Sequence, residues 1–313
     1  MSLKTAALAI AFTAACGGPA GAQATPPIQI SALPHIVIFS PEFYWSNTPD
    51  TVRMASATCP KGRAIGGGLS IREGSASLRI QDSYPDGASW VVRFAVRPSQ
   101  GAAPPAQTLR VRGFALCLLP VSRDFSVPIT NYPRLLYPSN RISIAAGGVS
   151  TTGRQACPDG ALVISGGIGL DPASQPAARL RMELSFPDPL GWNVRAVNDA
   201  GAAEPPSEVR VHGVCVGKTD GIDISKHRTV SFAEADVTLK PDGSTLRQAV
   251  VCKDAQAYAL AGGFRLTRGR NAAVELHESF PDTPSSWTLA VSNRGSKGAG
   301  NATVRLYAVC IKP

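Results

Sequence analysis

The sequence predicts an all-β protein made of three tandem, homologous antiparallel β-sandwich-like domains, each closed by one internal disulfide. Three observations carry this expectation. Six cysteines form three pairs of identical separation, 58 residues in each of Cys59 to Cys117, Cys157 to Cys215 and Cys252 to Cys310. Between the members of each pair one phrase recurs: SYPDGASW at Ser83 to Trp90, SFPDPLGW at Ser185 to Trp192 and SFPDTPSSW at Ser279 to Trp287. Apolar and polar residues alternate at period two, as in Val304, Leu306, Ala308 and Cys310 against Arg305, Tyr307 and Val309, and no long stretch holds a helical apolar period.

The cysteines come first in the argument. An even count in a secreted chain implies disulfides, and the equal spacing selects pairing within each unit over the other connectivities. Closing a loop of that length stabilises each unit by about 4 kcal/mol on the chain-entropy account. A unit of about 85 residues buries only about 60 to 65 per cent of its chain surface, so a covalent tie answers a real deficit.

Everything between paired cysteines recurs in order. A glycine pair sits in an apolar run, in AIGGGLSI from Ala64, VISGGIGL from Val163 and ALAGGFRL from Ala259. Glycines inside strand-like runs mark bulges or a close backbone approach. In the phrase that follows, the proline ends a strand because it has no N–H to donate, the aspartate bonds its own backbone in a turn, and the tryptophan opens the return strand. Trp90, Trp192 and Trp287 each begin an apolar face and are assigned to the core. Last comes an alternating segment into the second cysteine, VRGFALC, VRVHGVC and VRLYAVC, with Phe114, His212 and Tyr307 at matching places. The first cysteines lie 98 and then 95 residues apart (59 to 157, 157 to 252), which means copies of a small domain and not a solenoid.

These signals divide the chain into a signal peptide at 1–24, β repeats at 25–118, 141–217 and 229–313, and linkers at 119–140 and 218–228. The leader has Lys4, an apolar run from Thr5 to Cys16, and Ala22-Gln23-Ala24 as a small-residue cleavage signature. Thr13-Ala14-Ala15-Cys16 offers an alternative, a lipoprotein box with Cys16 as the lipidated first residue of an outer-membrane lipoprotein. No stretch is long enough for a membrane-spanning helix. Cleavage after Ala24 leaves 30 basic and 22 acidic residues, a net +8, and favours a secreted or periplasmic protein that associates with anionic envelope polymers at low salt. The densest basic run, RLTRGR from Arg265 to Arg270, reads as a solvated loop, and no specific nucleic-acid partner is expected.

Residues for catalysis are sparse. His35, His212, His227 and His277 form no zinc pair, and HESFP at His277 lacks the second histidine of a metalloprotease helix. His212 reads as a variable surface position. GKT at Gly217 to Thr219 lacks the glycine of a phosphate-binding loop, and no nucleophile elbow or free thiol is expected in the mature chain. Asp86, Asp188 and Asp282 recur in all copies, which favours turn capping over a glycosidase pair. Tyr84, Phe186 and Phe280, at loop corners, are the aromatic candidates for a binding rim, with the three aspartates beside them. No cofactor or metal is expected.

The ordered signature of cysteine, glycine pair, Ser-aromatic-Pro, Trp and closing Val-Ala-Cys resembles modules of secreted bacterial proteins and implies no activity. The function expected is therefore non-catalytic binding of a surface polymer, glycan or protein partner. The alternatives are an extracytoplasmic hydrolase with a site at a domain junction, or a structural lipoprotein held through Cys16. Modules closed around a pseudo-threefold axis would gather one central site. Modules in a line would spread their contacts.

Overall fold

The computed structural model describes residues 28–29, 36–46, 52–73, 77–97, 108–119, 135–158, 161–171, 180–217, 230–269, 272–295 and 300–312. The leader, Cys16, the cleavage signature at Ala24 and the connector at 218–228 lie outside these residues. So does most of the first linker, although 135–136 and 139–140 at its end are strand. Among the described residues no helix is long and apolar enough to cross a membrane.

The first repeat contributes β1 (Ile28–Gln29), β2 (Ile36–Phe39), β3 (Glu42–Ser46), β4 (Val52–Thr58), β5 (Arg63–Glu73), β6 (Ser77–Asp86), β7 (Ser89–Arg97) and β8 (Thr108–Leu118). The second contributes β9 (Leu135–Leu136), β10 (Ser139–Ile144), β11 (Ser150–Ala156), β12 (Leu162–Leu170), β13 (Leu180–Asp188), β14 (Gly191–Asn198) and β15 (Ser207–Val216). The third contributes β16 (Val230–Leu239), β17 (Thr245–Val251), β18 (Tyr258–Arg268), β19 (Val274–Thr283), β20 (Ser286–Asn293) and β21 (Ala302–Ile311). All pairings are antiparallel, and the three disulfides form within the repeats: Cys59–Cys117, Cys157–Cys215 and Cys252–Cys310.

Each repeat is a two-layer sandwich, but no repeat owns a complete sheet. Wall A runs β1-β2-β8-β5-β19-β20-β17, with β3 also on β8, and so joins the first repeat to the third. Wall B runs β10-β15-β12-β6-β7-β4, with β9 on β15, and joins the second repeat to the first. Wall C runs β11-β14-β13-β18-β21-β16 and joins the third to the second. The three walls close a ring about a pseudo-threefold axis. Every disulfide spans the two layers of one repeat: Cys59 follows β4 in wall B and Cys117 lies in β8 of wall A, and the other two repeat this placement.

The recurring phrase is the seam between repeats. Ser83, Ser185 and Ser279 make the one cross-repeat register pair in each wall, with Ile168, Phe264 and Leu69. Each serine carbonyl points at the second glycine of the next pair, where a methyl group on Gly167, Gly263 or Gly68 would overlap it. The first glycines, Gly67, Gly166 and Gly262, face Trp90, Trp192 and Trp287 and leave no room for a methyl either. The indoles are buried as expected, and their Nε1–H groups donate to Ser83, Ser185 and Ser279 Oγ at 2.8, 2.8 and 2.9 Å. One residue of the phrase thus holds the core tryptophan of its own repeat by its side chain and the neighbouring repeat by its backbone.

The proline does not end its strand. Pro85, Pro187 and Pro281 pair with the tryptophans inside β6, β13 and β19. Because alternate residues of an antiparallel strand address opposite neighbours, each proline nitrogen faces the same side as the serine two residues earlier, past the point where the cross-repeat ladder has stopped. A missing donor costs nothing there. Bulges fall at matching places, at Ile65, Ile164 and Leu260 ahead of the glycines and at Gln81, Glu183 and His277 ahead of the phrase.

Charge also crosses the seams. Arg79, Arg181 and Glu275 occupy one equivalent position, four before the phrase serine, on β6, β13 and β19. Glu275 lies 3.9 Å from Arg79 and 3.1 Å from Arg294, Arg79 lies 3.5 Å from Asp199, and Arg181 reaches Asp199 and Glu183. This chain of ion pairs touches all three repeats, with the Glu275 and Arg79 side chains almost wholly buried. Buried His277 adds a further tie, its Nδ1 donating to the Leu78 carbonyl of the first repeat and its Nε2 accepting from Ser292 Oγ at 2.7 Å.

Two outcomes follow for stability. Gly167→Ala should lower the unfolding free energy by about 2 kcal/mol or more, since a methyl is forced onto backbone, whereas Gly201→Ala, with nothing within 4 Å, should stay within about 0.5 kcal/mol of the parent in urea melts. Glu275→Gln should cost about 3 kcal/mol by the same measurement, because it leaves buried Arg79 and half-buried Arg294 beside an uncharged group.

Candidate functional site

The ring arrangement fills its centre. On the axis, Ser83, Ser185 and Ser279 with Gly67, Gly166 and Gly262 line a cavity of about 20 Å³, room for a single water and for no larger ligand. The three serine hydroxyls accept the indole N–H groups and serve the core. Larger surfaces for a ligand lie on the outer faces of the walls.

Inner and outer faces follow from alternation. In the closing strands β8, β15 and β21 the disulfide cysteines point inward, so Phe114, His212 and Tyr307 point out. Each meets the phrase aromatic of a neighbouring repeat across the seam. Phe280 stacks on Phe114 in wall A with ring centroids 5.5 Å apart, Tyr84 on His212 in wall B at 5.1 Å, and Phe186 on Tyr307 in wall C at 5.5 Å. The interplanar angles are 19°, 21° and 22°. Tyr84 and Phe186 are half-buried and Phe280 is buried.

A guanidinium lies over each stack. Arg247 sits 4.9 Å from the Phe280 centroid, Arg93 6.0 Å from Tyr84, and Arg265 5.3 Å from Phe186 and 5.8 Å from Tyr307. These arginines occupy three different places in the repeat. The position of Arg93 on β7 is Arg195 in the second repeat, turned to Glu183 at 3.0 Å, and Ala290 in the third. Arg265, two residues after the glycine pair, corresponds to Ser70 and Gly169. Arg247 on β17 stands opposite Ala290, as Met54 stands opposite Arg93 and Thr152 opposite Arg195. The aromatics thus come from equivalent positions of the repeats, whereas each wall's cation comes from a different one.

The carboxylates divide into two groups. Asp86 and Asp282 are exposed at the hairpin ends of β6 and β19. Asp188 accepts from Leu190 N at 2.9 Å in the turn, from Asn193 Nδ2 at 2.7 Å and from both Arg154 nitrogens, at 2.9 and 3.0 Å, which hold its carboxyl below the usual range against the opposing effect of burial. The three lie on three different walls. The carboxylates that work at the seams are others: Asp82 Oδ2 accepts from Leu170 N at 3.1 Å, and Glu278 Oε1 accepts from Ile71 N at 2.6 Å, each across a repeat boundary. Leu184 takes that place in wall C. Burial pushes the Asp82 carboxyl up to about 6, against the pull of Arg93 at 2.7 Å and two backbone N–H groups.

Two sequence expectations change. His212 is not a free surface position, since it packs on Tyr84, and burial, aided by Arg210 and partly offset by Asp86, lowers its imidazole to about 4. Nor is the start of RLTRGR a loop: Arg265 to Arg268 lie in β18, paired to β21. Among the described residues no group of three metal-ligating side chains is gathered. No protein-family model matches the chain, and no curated protein matches its sequence.

The sign for His212 is set by its depressed value. Its neutral form is the one the fold accepts, so its contribution is full above pH 6.5 and is lost as pH falls from 6.5 to about 4. Asp82 acts in the opposite sense, taking a proton in the folded state as pH falls below about 6. Comparison with His212→Phe, which copies Phe114, isolates the imidazole: the variant should gain about 2 kcal/mol on the parent between pH 7 and pH 4 in chemical melts.

Proposed function

We propose that the chain is a non-catalytic binding protein that acts outside the cytoplasm and contacts an anionic envelope polymer through the outer faces of its three walls. The observation that carries this reading is the guanidinium held over a stacked aromatic pair on every wall, supplied from three non-equivalent positions. Three disulfides in an all-β fold suit an oxidising compartment. The net positive charge favours an anionic partner. Three platforms on one rigid ring gain avidity on a repeating polymer, since the second and third contacts are intramolecular.

Passage of the mature, oxidised chain over immobilised acidic and neutral polysaccharides tests the reading. Retention on acidic polymers at low salt that falls as salt rises is expected. Indifference to every polymer at low salt would sink it.

A further inference from the structure

The arginines of wall C fall into two groups. Arg154 is held by Asp188, Arg195 by Glu183, and Arg305 by Asp236 in two hydrogen bonds and by Glu234 at 3.0 Å. Among the described residues, Arg265 and Arg268 have no carboxylate within ion-pair distance. Arg265 stands directly opposite Arg305 in the β18–β21 register, and the bulge after Leu266 brings Arg268 opposite Thr303, two places along on the same outer face. Two like charges so placed repel unless something of opposite sign answers them. Asp236 and Glu234 make their direct contacts with Arg305, and Asp236 lies within electrostatic reach of Arg265 and Arg268 without pairing with either.

The Arg265 head is also unusually well held. Phe186 and Tyr307 lie under it, Tyr307 is buried, and the Arg265 Nε is buried with no hydrogen-bond partner. Phe186 and Tyr307 stack on one another, and the guanidinium lies over both rings. The surface offered to a ligand is a fixed fork of N–H donors, which matches a carboxylate or sulfate.

We propose that Arg265 and Arg268 form the anion-reading site of wall C, binding the carboxylate or sulfate of an acidic polysaccharide, with Phe186 and Tyr307 as positioning residues beneath Arg265. The assignment rests on the binding function proposed above and places its strongest contact on one wall. In wall A, by contrast, Arg247 already faces Glu278 at 3.4 Å, and in wall B Arg93 is tied to Asp82.

The test uses the full, oxidised chain and four probes: a carboxylated polysaccharide, a sulfated polysaccharide, a neutral polysaccharide and single-stranded DNA. Titration of the parent, of Arg268→Gln and of Arg265→Gln/Arg268→Gln should show at least about tenfold weaker binding of one or both acidic polysaccharides by the double variant. Arg268→Gln, at an exposed position, should fall between the two with an unchanged melting temperature, which separates lost binding from lost folding. Lys240→Gln, an exposed position in the turn between β16 and β17 and outside the walls, should bind as the parent does. Equal binding by parent and double variant would overturn the site while leaving the broader function standing. Tighter binding of DNA than of either acidic polysaccharide, lost in the double variant, would overturn the polysaccharide assignment. No binding of any polymer by the parent would remove both readings.

Discussion

Three close approaches of one carbonyl oxygen to one glycine hold the architecture together. At each seam a wall passes from one repeat to the next through a single register pair, and the serine oxygen comes so near Gly68, Gly167 or Gly263 that no side chain fits between them. The adjacent glycine admits the tryptophan, whose indole N–H is bound by that same serine. Backbone approach and core packing are therefore one event. Because the walls close on themselves, a repeat cannot form one seam well and another badly: strain at any of the three is carried around the ring. The disulfides act at right angles to this closure, tying the two layers of each repeat where the separate cores are too small to hold alone.

Within that symmetric frame the three seams have diverged. Asp82 and Glu278 reach across to a backbone N–H of the next repeat, and Leu184, which has no such acceptor, stands at that place in wall C. Around the axis, Arg79, Arg181 and Glu275 put two cations and one anion where three identical residues would repel. Such differences give each repeat a neighbour it fits better than itself, which keeps the ring in one order and discourages exchange with another chain.

The division of labour between faces follows from the same closure. Inward faces meet around a cavity with space for one water. Outward faces lie flat across two repeats, with aromatic stacks straddling the seams and arginines above them. The guanidinium recurs although its sequence position does not, whereas the tryptophans and serines recur in both. Recurrence of position marks what the fold needs.

Much of this protein was legible in its sequence by itself: the strand class, the threefold repetition, the pairing of the cysteines and the burial of Trp90, Trp192 and Trp287. Period-two alternation states which face a residue occupies, and equal spacing states which cysteines belong together; both are local properties of one repeat. Only the tertiary structure decided which repeat's strand lies beside which, because backbone hydrogen bonding at a strand edge accepts any partner whose register and shape allow it. From that choice come the contact of Tyr84 with His212, of Phe186 with Tyr307 and of Phe280 with Phe114, and the conversion of RLTRGR from an apparent loop into part of a wall. The phrase aromatics stood out in the sequence, but the cations over them did not, since they sit at three unrelated positions that converge only after the walls have closed.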